Sequence, residues 1–447
     1  MKDKLNEALK EISDKHIDEA AKAKRKRALP TWVKAVAAAV ALVLLVSTVG
    51  PSMSLQAAAV AQAEYPEYTY TAYESDDILP MRDFFSRSMA TTLSELNGQN
   101  GAYSPLNLAI GLSVLAELTT GEAQQQILTA LNAPDMATLR QRANYLWRAS
   151  YYDKDNQRLL ANSLWLDNSV DYSQDVMDTL AQNYYTSVYH GNLGSSQVNK
   201  LIAQWLNEQT GNMLKADTSG IRLPEDTVLA LYSTIYFQAK WHDEFSALNN
   251  KAGIFHAPSG DTTVTYMNKT RINGTYYWAD DFGAISLGLK DGSRMWLFLP
   301  DEGKTVDDIL SSQDYLNMLS NAHEYENSKA VFINLSIPKF DIRQSSDLRS
   351  DLEKIGITAV FQRESNAFAS SVYSHKYGSD VWLTSANQVT RVAIDEKGVT
   401  AASYIEFPGA GAAAPPDDEI DFILDRPFFF IVARVSLPLF AGVVNEP

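Results

Sequence analysis

The sequence predicts an α+β fold, and three observations carry the prediction. Stretches with apolar residues at helical spacing lie early: "MRDFFSRSMATTLSEL" from Met81, "PLNLAIGLSVLAEL" from Pro105 and "SSQVNKLIAQWLNEQTG" from Ser195. Short alternating or wholly apolar runs dominate later: "VLALYSTIYFQAKW" from Val228, "GAISLGL", "MWLFLP", "AVFINLSIPKFDI", and finally "RPFFFIVARV" and "PLFAGVV". The two kinds of segment show no strand–helix–strand rhythm, so helices first and antiparallel strands later are expected.

Composition fits that class. Of 447 residues, 45% are hydrophobic and 11% aromatic, which is enough apolar surface for a large core. A net charge of -16 argues against nucleic acid as a partner, because phosphate binding needs clustered Lys and Arg. There is no cysteine, so thiol catalysis and thiolate metal sites are excluded.

In chain order, Leu5, Leu9, Ile12 and Ile17 fall near helical spacing among alternating charges and predict a short amphipathic helix. Lys24 to Arg27 then precede an uncharged run from Ala35 to Val49, with Trp32 and Lys34 at its edge. This run with its flanks is long enough to cross a bilayer, and the basic residues place its N-terminal side in the cytoplasm. The expected organisation is a cytoplasmic tail over 1–31, a single-pass signal anchor over 32–52, a spacer over 53–76 and one extracellular domain over 77–447. The stretch "AAAVAQA" after the run resembles a cleavage site, and cleavage there would make the domain a secreted one.

The segment "EKGVTAASYIEFPGAGAAAPPDDE", Glu396 to Glu419, begins as a strand and ends as something else. Val399, Ala401, Ser403, Ile405 and Phe407 share one face at the two-residue period of a pleated sheet. Pro408 then removes a backbone donor, Gly409 to Ala414 has no anchoring side chain, and Pro415-Pro416 stiffens the exit. Strand sequence therefore runs directly into an exposed loop.

Catalytic signatures are missing. The six histidines show no metal-ligand spacing, and no G-x-S-x-G elbow, phosphate loop or dinucleotide fingerprint occurs, so no cofactor or metal is expected. "SIPK", Ser336 to Lys339, matches S-x-x-K, but it sits in an alternating strand beside a proline where that chemistry requires a helix start.

The chain resembles the serpins, over essentially all of 77–447. The ordered motifs are "YSPLNLAIGLSVLAELTTGEA" from Tyr103, "NSLWL" from Asn162, "IAQWLNEQTG" from Ile202, "STIYFQAKWHDEF" from Ser233, "FLPDEG" from Phe298, "SIPKFDI" from Ser336, "DEKGVTAAS" from Asp395 and "DRPFFFIV" from Asp425. The resemblance implies helices around three β-sheets with an exposed reactive-centre loop near the C-terminus. It implies a monomeric bacterial inhibitor, not an enzyme, that traps serine proteases when the cut loop inserts into the central sheet; a non-inhibitory member acting as a protease substrate or surface binding protein is the alternative.

Residue by residue, the resemblance places the hinge at Gly398, Val399, Thr400, Ala401, Ala402 and Ser403. Fifteen residues from Gly398, it places the reactive bond between Ala412 and Ala413. It implies a breach at the top of the sheet built from Trp241, Lys339 and Glu396, with an ion pair between the last two. A shutter beneath the sheet opening is implied at Ser104, Asn107, Ser233 and Gln388, where the usual Ser, Asn and His are replaced and a re-wired hydrogen-bond network is expected. A small residue at the cut suits the shallow primary pocket of an elastase-like partner, and no Lys or Arg lies between Gly398 and Asp425 for a trypsin-like one. On the topology, external protease applied to intact cells is expected to remove the domain beyond Ile78 and leave Met1 to Arg27 protected; a protected domain would overturn the orientation.

Overall fold

The structure is a computed structural model. It describes residues 54–66, 79–94, 96–152, 158–211, 223–384, 386–399 and 418–447. The predicted tail, the predicted span over 32–52 and the loop stretch 400–417 lie outside these residues. Among the described residues, no helix is long and apolar enough to cross a membrane.

Ser54 opens the described chain by accepting the Ala57 N–H and capping a single helical turn, α1 (Leu55–Ala58), which runs into β1 (Ala59–Ala61). The early helical patterns become α2 (Arg82–Ser94) and, after β2 (Gly101–Tyr103), α3 (Pro105–Leu118). Ser104 caps α3 by accepting the Asn107 N–H, and Pro105 occupies the first turn, where a missing N–H costs nothing. Only Glu117 of α3 escapes full burial, as expected of a helix that is apolar all round. Next come α4 (Gly121–Ala130), α5 (Met136–Ser150), β3 (Arg158–Asp167), β4 (Val170–Tyr172), α6 (Gln174–Asn183), β5 (Thr186–Gly191) and α7 (Ser196–Gln209).

The second half is strand-rich: β6 (Leu229–Phe237), β7 (Ala239–Lys240), β8 (Lys251–Ala257), β9 (Gly260–Trp278), β10 (Phe282–Gly288) and β11 (Arg294–Pro300). Two short helices, α8 (Val306–Ser311) and α9 (Asp314–Ser320), precede β12 (Ser328–Pro338) and β13 (Phe340–Asp347). The remainder is α10 (Arg349–Lys354), β14 (Val372–Ser374), β15 (Asn387–Ile394), β16 (Gly398–Val399), β17 (Glu419–Ile423), β18 (Phe428–Arg434) and β19 (Leu437–Val444).

These strands form three main sheets. The first has the order β1-β5-β3-β6-β15-β13. The other two lie in one continuous nine-stranded sheet that narrows at β9, which pairs with β12 from Tyr266 to Tyr277 but meets β10 at only two positions. One is therefore β17-β12-β9 with β8 added, and the other is β10-β11-β18-β19-β2. Every residue of β18 and β19 is buried, which is why their sequences are continuous apolar runs without alternation.

Two expectations need correction. The early half is not purely helical, because β3 and β5 pair in parallel with α6 between them, one strand–helix–strand unit. Eight of the ten residues of β3 are buried and the other two partly buried, in a run with no two-residue alternation, so no strand period marks it. The second correction concerns the spacer. Its described part is packed on the domain, and Ser54–Pro447 forms one compact unit. β1 pairs with the edge of β5 at Ala59–Tyr189 and Ala61–Val188, and Ser187 Oγ accepts the Ala63 N–H at 3.3 Å. Tyr65 then stacks on Trp147 with centroids 5.3 Å apart, in a group that includes Tyr151 and Tyr185. The edge of the first sheet is covered by the chain's own N-terminal segment.

Removing the Tyr65 ring deletes half-buried aromatic surface and one stacked pair, so Tyr65→Ala is expected to lower stability by about 2 kcal/mol. A lower urea midpoint would register it. An unchanged midpoint would mean that the segment contributes nothing to the fold.

Candidate functional site

In the first sheet, β15 and β6 run parallel but pair only at Asn387–Tyr232, Gln388–Ser233 and Val389–Thr234. Beyond these three positions β6 continues through Ile235 to Phe237 and β15 through Thr390 to Ile394, with no further pairing between them. Their outer neighbours are fully laddered: β13 pairs with β15 from Phe340–Ile394 to Asp347–Asn387, and β3 pairs with β6 from Arg158–Phe237 to Leu166–Leu229. The seam is the weak line of an otherwise complete sheet.

A strand that runs opposite to two parallel strands can bond antiparallel to both. The chain makes that reversal at once. Asp395 and Gly398 exchange backbone hydrogen bonds of 3.0 and 3.2 Å, and Asp395 Oδ1 accepts the Lys397 N–H at 2.8 Å. β16 then pairs antiparallel with β7, Gly398 facing Lys240 and Val399 facing Ala239. Gly398 has φ 141°, and a Cβ there would lie 2.4 Å from the Lys240 Cα, so only glycine fits this close approach. The first two hinge residues thus already form the start of an antiparallel strand. Thr400, Ala401, Ala402, Ser403 and the bond between Ala412 and Ala413 lie outside the described residues.

At the top of the seam the structure brings Trp241, Lys339 and Glu396 together. Trp241 is buried; its Nε1–H donates to the Asp395 carbonyl at 2.8 Å and its backbone N–H to the Lys397 carbonyl at 3.1 Å. The Phe245 N–H donates to the Glu396 carbonyl at 2.8 Å. Lys339 Nζ lies 2.5 Å from Glu396 Oε1, which also accepts from Asn250 Nδ2 at 2.5 Å. The Lys339 ammonium, and then Asn250, pull the Glu396 carboxyl down from its ordinary 4.5 to about 2. Asn250 escapes sequence reasoning because nothing in "SALNNK" distinguishes a latch residue from a turn residue.

At the foot of the seam the four shutter positions are neighbours but do not form one network. Gln388 embraces the start of α3: its Oε1 accepts the Ser104 N–H at 2.8 Å and its Nε2 donates to the Ser104 carbonyl at 3.2 Å. Ser104 Oγ bonds to the Leu439 carbonyl at 2.6 Å, tying α3 to β19. Ser233 pairs separately with Asn162 Oδ1 at 2.5 Å. The Asn107 side chain is fully buried, and both its polar atoms lack a hydrogen-bond partner among the described residues. The expected re-wired network is thus two separate bonded groups plus an unsatisfied amide, because Gln388 reaches past Asn107 to the backbone of Ser104. All three of Asn107, Ser233 and Gln388 line a cavity of about 40 Å³ whose other walls include Leu112, Leu231 and Leu352. An unpaired buried amide and a void weaken this interface.

Among the described residues, no group of three or more His, Asp or Glu side chains is placed to hold a metal. What the arrangement can do is accept a strand into its own sheet.

Comparison with known proteins agrees with this geometry. The family "Serpin (serine protease inhibitor)" matches residues 81–447. Alpha-1-antiproteinase of Callosciurus caniceps is 27% identical over 78% of this chain and 84% of its own length. The thermophilic serpin tengpin in its native state superposes with a TM-score of 0.74 at 21% identity, covering 86% of this chain and 97% of that one. Thyroxine-binding globulin, solved as its complex with thyroxine, superposes with a TM-score of 0.68 at 20% identity over 82% of this chain and 99% of its own. The chain belongs to the serpin family.

The lowered Glu396 pKa gives a pH signature. The carboxylate's contribution is complete above about pH 4.5 and is lost as pH falls toward 2. With 36% and 18% of the two side chains exposed, the pair is worth about 1 kcal/mol at most. Denaturant titrations of wild type and Glu396→Gln are therefore expected to differ by that amount at pH 7 and to converge near pH 2. A gap that persists at pH 2 would assign it to something other than the ion pair.

Proposed function

We propose that this serpin is a suicide-substrate inhibitor of elastase-like serine proteases, held at the outer face of a membrane by residues 32–52. The observation that carries the reading is the seam: two parallel strands paired over three residues, with the antiparallel guest strand already begun at Gly398 and Val399.

The physical sequence follows from the tethering. Before cleavage the stretch 400–417 is fixed at both ends, by β16 on one side and by β17 on the other, where Glu419 to Ile423 pair in parallel with β12. A segment held at both ends cannot lie down as one strand. The target's serine attacks the Ala412 carbonyl, the bond to Ala413 breaks, and the new amine leaves with Ala413. The acyl-enzyme ester then joins the protease to Ala412. Thr400 to Ala412 is thirteen residues, about 43 Å of extended strand, so full insertion carries the attached protease far down the sheet. Burial of Ile405 and Phe407 alone would supply about 3 to 6 kcal/mol. If insertion outruns hydrolysis of the ester, the distorted protease stays trapped.

Ala412, together with the absence of Lys and Arg from Gly398 to Asp425, supports the elastase-like preference. Pro408 favours the second reading, a non-inhibitory serpin that is cut as a substrate, because a proline within the inserting strand forfeits a ladder hydrogen bond.

Mixing the domain with elastase-like, trypsin-like and chymotrypsin-like proteases is expected to give a denaturant-resistant covalent band with the first alone, and a released fragment whose mass starts at Ala413. Ala412→Arg is expected to shift trapping to the trypsin-like enzyme. Ala401→Arg should still be cut but should form no covalent complex, since an unpaired charge buried at the hinge costs several kcal/mol. Full complex yield from Ala401→Arg would rule out loop insertion.

A further inference from the structure

A cleft of about 390 Å³ opens beside Trp241, between β9 and the adjoining ends of β10 and β11, a size that suits a small organic ligand. Two cations line it, and among the described residues neither forms an ion pair. Arg294 spends one edge of its guanidinium on Ser286, with Nε donating to Ser286 Oγ at 3.0 Å and Nη2 to the Ser286 carbonyl at 3.1 Å. Lys269 donates to the Asp243 carbonyl and lies 4.6 Å from the Phe245 ring centroid. The nearest carboxylates form no ion pair with either cation: Asp243, itself part of the lining, lies 3.3 Å from His242 Nδ1, and Glu244 pairs with Lys290 at 3.4 Å and Lys240 at 3.8 Å.

The backbone is shaped to present Lys269 here. Ile333 of β12 faces Ile272 and Leu335 faces Lys269, so Asn334 alone opposes both Thr270 and Arg271. Arg271 takes the left-handed φ of 51°, and Asn334 Oδ1 accepts its N–H at 3.1 Å. Such a bulge re-aims the side chains of the strand that carries it. Burial lowers the pKa of both Lys269 and Arg294, against an opposing pull of Asp243 and Glu244 on Lys269, as expected of cations held partly out of water. The remaining lining includes the Asp243 carboxylate, apolar Ile272, Leu287 and Ile333, and the neutral polar residues Asn273 and Thr275.

We propose that this cleft binds a small amphipathic organic anion, its carboxylate or sulfonate facing Lys269 and Arg294 and its apolar body against Ile272, Leu287 and Ile333. The charged head adds a close counter-ion to two cations that make no ion pair among the described residues, and the body removes exposed apolar surface from water. The site adjoins the loop base, because Trp241 and Phe245 on either side of His242 and Asp243 donate to the Lys397 and Glu396 carbonyls. Binding itself is independent of whether the loop inserts.

Isothermal titration of the domain with octanoate and with 1-octanol at pH 7 tests the site. Octanoate is expected to bind at one site in the sub-millimolar range and 1-octanol at least tenfold more weakly. Lys269→Met and Arg294→Gln are each expected to weaken octanoate about tenfold while the urea midpoint stays unchanged. Thr275→Trp fills the cleft without altering its charge and is expected to abolish binding, which covers the case in which a charge variant folds poorly. Equal affinity for the alcohol, no octanoate binding, or octanoate binding within twofold of wild type in all three variants would each overturn the proposal.

Discussion

Two neighbouring strands of the first sheet point the same way and hold each other at only three residues. Parallel pairs are normally joined by long ladders buried on both faces, and among the described residues a sheet that parts after Val389 and Thr234 leaves a gap in the pairing between Ile235 to Phe237 and Thr390 to Ile394. Every other distinctive feature of the site is arranged around that gap. The laddered neighbours β3 and β13 keep its two banks straight, and α3 backs it as a buried apolar rod.

The two ends of the seam are closed by different physics. At the top, Trp241 fills the space and its two N–H groups hold the backbone carbonyls of Asp395 and Lys397, while Lys339 and Asn250 clamp the Glu396 carboxylate. Backbone bonds set the position, and the half-exposed ion pair adds a modest, salt-sensitive increment. At the foot, Gln388 binds the backbone of Ser104 while Asn107 is left unsatisfied beside a small void. The foot closure also reaches the buried strand β19, because Ser104, which Gln388 holds, bonds to the Leu439 carbonyl.

Much of this was legible beforehand where local chemistry dominates. The all-round apolar α3 with its Ser104 cap and Pro105 and the continuous runs of β18 and β19 announce their environment through residue type. The strand–helix–strand unit at β3, α6 and β5 was not legible, because a strand without two-residue alternation lacks the period that separates strand from helix. Nor was the docking of 54–66: an Ala- and Tyr-rich stretch reads as a spacer until Trp147 and the β5 edge are known to be beside it.

The site divides along the same line. By itself the sequence determined which residues could serve: a glycine at 398 able to take a conformation that side chains resist, a hinge of small residues, a loop free of Lys and Arg, and a Lys and Glu able to pair across a long separation. Only the tertiary structure decided that Asn250 shares the Glu396 carboxylate, that Gln388 bypasses Asn107 for Ser104, and that β6 and β15 separate after three pairs. Those outcomes depend on the register of segments more than a hundred residues apart in the chain, and register is chosen by how whole layers pack, which no short window of residue types encodes.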